Sequence, residues 1–186
     1  MDSISLKKHF LRRIFRIKPI VREFACQKLE AHPGLENEYM ALSIRRGDKV
    51  TEFELVKTVE PYIEKAETAI TTHFGGIPPT FFVATDDCTV MQEFREARPN
   101  WNFVSECDKL TEADGFVFKD MTEWTEEQTD HHFTKFIAEM IAMASAKYWI
   151  GVSTTNVSYW IYFMRSLRAH DDTFEFVDKE SDMKPW

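Results

Sequence analysis

The sequence predicts an α/β protein built on a Rossmann-like, doubly wound parallel sheet, and three observations lead there. Short apolar runs of strand length alternate with longer segments of helical period, an order that implies right-handed crossovers and parallel pairing. The chain has 186 residues, 44% hydrophobic and 29% charged, enough to bury one core and too apolar for disorder. Its first two apolar runs stop abruptly at charged residues, and the carboxyl ends of strands are where such sheets hold ligands.

The elements follow in order. Ile4–Phe15 and Lys18–Leu29 read as two helices separated by Pro19, with Leu6, Phe10, Ile14, Val21, Phe24 and Cys26 as apolar positions. His32-Pro33-Gly34 supplies turn chemistry that ends the second. Tyr39–Ile44 has the length and composition of a buried strand, and Arg45-Arg46-Gly47-Asp48-Lys49 follows at once. Pro61–Phe74 is helical, with Ile63, Ala66, Ala69 and Ile70 on one face, and Gly75-Gly76 closes it. Thr80–Ala84 is the second strand, Asp86-Asp87 opens a helix through Arg98, and Trp101–Ser105 is the third strand. Residues 106–127 lose periodicity and read as a long functional loop. Thr129–Ser145 is a helix whose buried stripe is Phe133, Phe136, Ile137, Met140, Ile141 and Ala144. Tyr148–Gly151, a polar turn at Ser153–Asn156, a helix over Val157–Leu167 and a strand at Phe174–Val177 complete the series.

The net charge of −8 argues against a nucleic-acid partner, which needs a basic footprint. It leaves room for a nucleotide, because a few local arginines hold a phosphate inside an acidic protein. Cys26, Cys88 and Cys107 lack metal-ligand spacing, so a disulfide framework is not expected, and thiols in a reducing compartment are the simpler reading. The basic amino-terminal stretch is interrupted by charge every few residues and is expected to be a surface helix rather than a secretory signal.

The chemistry concentrates in four places. Arginine presents a planar fork that fits two phosphate oxygens, so Arg45 and Arg46 at a strand tip point to phosphate, against the alternative of an exposed turn with weak ion pairs. Asp86 and Asp87 divide between N-capping and aligning the site, with metal binding the weaker reading. Ser153–Asn156 precedes a helix and is either an anion site or an ordinary cap. Glu139 sits among apolar helix positions, either as an exposed polar interruption or as a carboxylate able to accept hydrogen bonds from the N1–H and amino group of guanine.

Together these segments resemble the nucleotide-binding lobe of the α1,6-fucosyltransferase family, which includes nodulation fucosyltransferases. Ser43-Ile-Arg45-Arg46-Gly47-Asp48-Lys49-Val50 looks like the family's His-x-Arg-Arg-x-Asp-Lys-Val. Glu60-Pro-Tyr62 looks like its Glu-x-Tyr, and Phe82–Asp87 like its strand ending in Ala-Thr-Asp-Asp. Phe136–Val157 looks like its last motif, an acidic residue on a helix, then a strand, then hydroxyls before Asn or Gln. The resemblance spans roughly residues 5–178.

It implies a GT-B glycosyltransferase lobe and inverting, metal-independent transfer of fucose from GDP-fucose to a glycan or glycoprotein acceptor. Arg45 would contact the β-phosphate; Arg46, Asp48 and Lys49 would support the site, with Arg45, Lys49 and a glutamate as the catalytic set. Tyr62, Asp86 and Asp87 match positions important to the family's activity. Glu139 stands where the family reads guanine with an aspartate, Thr155 where it has a serine near the nucleotide, and Ser43 where it has a histidine beside the base. The family's general base falls without a gap on Phe53; Glu52 or Glu54 would serve after a one-residue shift, and Glu52 is favoured because Thr51-Glu52 repeats the family's Thr-Glu. Residues 1–36 are expected to be a helical lead-in to a missing amino-terminal lobe or partner chain, and 37–186 the Rossmann-like GDP-sugar-binding domain. Golgi localisation is expected if the chain is part of a full-length family member. Two other classes stay open: a non-catalytic GDP-sugar-binding module, and an unrelated nucleotide enzyme, the latter disfavoured by the lack of a Gly-x-Gly-x-x-Gly or phosphate-loop motif.

Overall fold

Five strands form one sheet in the order β3-β2-β1-β4-β5, every neighbouring pair parallel. They are β1 (Met40–Ile44), β2 (Thr80–Thr85), β3 (Asn102–Val104), β4 (Tyr148–Gly151) and β5 (Phe174–Phe176). The computed structural model describes residues 6, 9–10, 16–46, 57–107, 118–165 and 173–178. The helices are α1 (Pro19–Glu30), α2 (Glu60–His73), α3 (Thr89–Ala97), α4 (Glu126–Ser145) and α5 (Asn156–Arg165).

Two cores sandwich the sheet, set by strand alternation. Met40, Leu42 and Ile44 of β1 join Phe81, Val83, Tyr148 and Ile150 beneath α2 and α3. Ala41 joins Phe82, Ala84 and Trp149 on the opposite face, against α1, α4 and α5. The chain runs outward from β1 to β2 and β3 on the first face, then crosses to β4 and β5 on the second. Strand order therefore reverses between β1 and β4, the position where a doubly wound sheet opens a crevice at its carboxyl edge.

Several expected boundaries move, each for a local reason. The helix expected over Ile4–Phe15 lies mostly outside the described residues; Leu6 and Phe10 are exposed. In α1, Pro19 sits at the helix start, where its missing N–H costs nothing, and Ala25 rather than the exposed Cys26 is the buried position. The loop expected through Glu127 contains a 3₁₀ turn at Phe118–Glu123 and ends sooner. A capping box starts α4 three residues early, with Thr125 and Gln128 satisfying each other's backbone N–H groups. Phe133, expected in the buried stripe of α4, is 41% exposed. At 1.5 Å per residue Phe133, twelve residues before Ser145, is about 18 Å up the helix, beyond the roughly 16 Å height of β1, so it stands above the strand tips.

The cysteines require a correction: Cys88 and Cys107 are joined by a disulfide, and only Cys26 is a free thiol. A separation of 19 residues carries no bonding signature in sequence. The pairing comes from topology, since both cysteines follow the carboxyl ends of adjacent strands and their Cα atoms lie 5.6 Å apart.

Candidate functional site

Arg45 and Arg46 leave the tip of β1 at the reversal of strand order, and one carboxylate from the neighbouring strand organises both. Asp86, directly after β2, accepts the backbone N–H of Arg46 at 2.8 Å and the Nε–H of Arg45 at 3.4 Å. The register Ile44 to Thr85 makes this possible, because it sets the next residues of the two strands side by side.

The two arginines then diverge. The Arg45 side chain is 29% exposed. Arg46 is buried, and both guanidinium branches meet Glu93 of α3, at 2.5 and 2.7 Å. Its Nη2 also donates to the Lys57 carbonyl at 2.9 Å, and Asp87 lies 3.6 Å from Nη1. Donation of hydrogen bonds to the Glu93 carboxylate raises the Arg46 pKa above its usual value, against the opposing effect of burial. Arg46 thus faces protein acceptors, while Arg45 stays partly exposed beside Asp86.

Asp86 and Asp87 divide their work as the sequence suggests. Asp87 accepts from the backbone N–H and hydroxyl of Thr89, fixing the entry into α3, and Asp86 aligns the arginines.

Tyr62, in the first turn of α2, is fully buried and its hydroxyl has no hydrogen-bond partner among the described residues. Burial, reinforced by Asp178 and opposed by Arg46, pushes its pKa far above the ordinary phenol value. The phenol therefore keeps its proton, within electrostatic reach of those two charges.

Ser153–Asn156 turns from β4 into α5. Thr155 caps the helix, accepting the Ser158 N–H and sharing a hydrogen bond with the Ser158 hydroxyl. The Ser153 N–H and hydroxyl both donate to Asp178, just beyond β5. Asp178 thus takes both Ser153 donors, and the capping reading describes Thr155. Ser43 is half-buried in β1, opposite Ala84.

Glu139 is buried, not an exposed interruption of its helix. It lines a small crevice between α1 and α4 with Phe24, Lys28, Phe82, Glu106 and Lys135, and Lys135 Nζ stands 3.9 Å from its Oε1. Six residues above Ser145, it lies about 9 Å up α4, near mid-height of the sheet and level with Phe82. The fold thus brings Arg45, Arg46, Tyr62, Asp86 and Asp87 to the tip of β1, and sets Glu139 lower, in a separate crevice on the α1–α4 face. Gly47, Asp48, Lys49, Glu52 and Glu54 lie outside the described residues.

Sequence reasoning did not find Glu93, Asp178 or Lys135. Glu93 and Asp178 are single acidic residues in acidic surroundings, brought to the site only by long-range packing. The polarity of Lys135 gave no sign that α4 would bury it. Among the described residues no group of three or more His, Cys, Asp or Glu is placed to hold a metal ion, and no helix is long and apolar enough to cross a membrane.

Fold and site define an α/β protein of Rossmann-like architecture with a cation–carboxylate cluster at the switch point of its parallel sheet. No protein-family model matches the chain, and no curated protein matches it.

Proposed function

We propose that the chain is the donor-binding lobe of a GT-B, fucosyltransferase-like glycosyltransferase that uses GDP-fucose. The observation that carries the reading is Arg45: a partly exposed guanidinium at the tip of the central strand, aimed by Asp86, at the switch point where nucleotides sit in such sheets.

In the proposed reaction an acceptor hydroxyl oxygen attacks the anomeric carbon of fucose from the face opposite the diphosphate, inverting the centre. The bond from that carbon to the β-phosphate oxygen breaks, and GDP leaves with the electron pair. Arg45 stabilises the developing charge on the diphosphate, and Lys49 adds a second cation. A carboxylate takes the hydroxyl proton, Glu52 being the residue assigned and Glu54 the alternative. The guanine edge is assigned to Glu139, which accepts from N1–H and the amino group, with Lys135 beside it. The Cys88–Cys107 disulfide supports a compartment in which disulfides persist, in line with a Golgi location.

The test is incubation of the chain with GDP-fucose, with and without N-glycan acceptors, following GDP release. Turnover, or GDP-dependent thermal stabilisation without turnover, supports donor binding; the second outcome favours the non-catalytic module. GDP-fucose left intact with no thermal shift contradicts the reading. Glu139→Ala is expected to erase the preference for GDP over ADP and UDP, and unchanged discrimination removes the guanine role.

A further inference from the structure

We infer that Glu93 is a positioning residue of this site, acting through Arg46, and that Arg46 is a pin within the protein rather than a second phosphate ligand. The inference rests on the donor-binding reading above and adds a residue and a division of labour to it.

Glu93 lies in the middle of α3, whose rotation is fixed by burial of Val90, Met91 and Phe94 against the sheet. With those three inward, Glu93 presents its carboxylate to the tip of β1, and both oxygens meet the Arg46 guanidinium branch for branch. Paired geometry of this kind is directional as well as strong. The same guanidinium holds the Lys57 carbonyl, and the Arg46 backbone holds Asp86. One residue therefore connects the end of β1, the approach to α2, the end of β2 and the body of α3. With 8% of its surface exposed, Arg46 offers little to a ligand.

Its neighbour is placed by these contacts. Asp86 can aim the Arg45 Nε–H only while the Arg46 backbone N–H stays on its other oxygen. Without Glu93, a buried guanidinium would turn toward the remaining carboxylates, Asp87 at 3.6 Å first and Asp86 behind it. Asp86 would then be drawn from Arg45, and the phosphate-facing side chain would lose its aim.

The experiment is a double-mutant cycle on GDP affinity by calorimetry, with wild type, Arg46→Ala, Glu93→Ala and the double variant. The Glu93 side chain is 37% exposed, so the core survives its removal. Each single variant is expected to weaken GDP on the order of tenfold, and the double no more than the worse single, as for residues acting as one unit. Glu93→Gln, which keeps one acceptor for the guanidinium, is expected to recover part of the loss. Losses that multiply, or an Arg46→Ala defect with no Glu93→Ala defect, would mean that Arg46 touches the ligand itself and would overturn the inference. Amide hydrogen exchange at Arg46 reads the pin without ligand. Faster exchange in Glu93→Ala supports it, and unchanged exchange refutes it even if wild type binds no GDP, an outcome that would count separately against the nucleotide reading.

Discussion

Replacing Tyr62 by phenylalanine should stabilise the fold. The ring lies in the core with its hydroxyl unpartnered among the described residues and fully shielded from solvent. A buried polar group without a hydrogen bond costs about 1–3 kcal/mol, and Tyr62→Phe removes that cost while keeping the ring. For a domain of this size each kcal/mol moves Tm by roughly 2–4 °C, so an upward shift of several degrees is expected in thermal unfolding followed by circular dichroism. A Tyr62→Phe variant less stable than wild type would refute the reasoning, since it would show the hydroxyl already satisfied in the folded protein.

Two further predictions concern stability. Tyr62 and Tyr148 are both buried with pKa values raised above the ordinary phenol range, Tyr148 by burial and then by Glu175. The folded protein therefore holds phenolic protons that the unfolded chain releases above about pH 10. Stability should fall with rising pH beyond that point, by up to about 1.4 kcal/mol per pH unit for each group, and Tyr62→Phe should lower the slope; urea unfolding between pH 9 and 11.5 measures it. Removing the Cys88–Cys107 bond by Cys88→Ser with Cys107→Ser should cost about 3 kcal/mol from the closed loop. A dithiol reductant should destabilise wild type and leave the double variant unchanged, and equal unfolding midpoints for all four samples would contradict this.

The order of elements was legible because strand-length apolar runs and helical periods are local signals. The strand reading at Tyr39–Ile44 needed only a short run buried on both faces, and the structure places β1 at Met40–Ile44. A local role for Asp87 at the start of α3 was equally legible, since its carboxylate meets a neighbour two residues away, although Cys88 and not Asp87 occupies the N-cap position. What the sequence could not disclose were contacts made by folding. Glu93 reaches Arg46 across 47 residues, Asp178 reaches Ser153 across 25, and the cysteines meet because β2 and β3 are neighbours. Arg45 and Arg46 looked equivalent for the same reason. Adjacent residues with identical side chains differ here in what surrounds them, with Arg46 enclosed by Glu93 and Lys57 and Arg45 partly exposed beside Asp86. The apolar stripe of α4 failed at Phe133 because periodicity gives the face of a helix and not the height at which the sheet beneath it ends.

Calorimetric titration of GDP into wild type and Arg45→Ala addresses the strand-tip guanidinium most directly. Micromolar or tighter binding is expected for wild type, weakened by about 1.5–3 kcal/mol in the variant, with unfolding of the free proteins unchanged. Equal affinity in the two proteins, or no heat in either, would contradict the account.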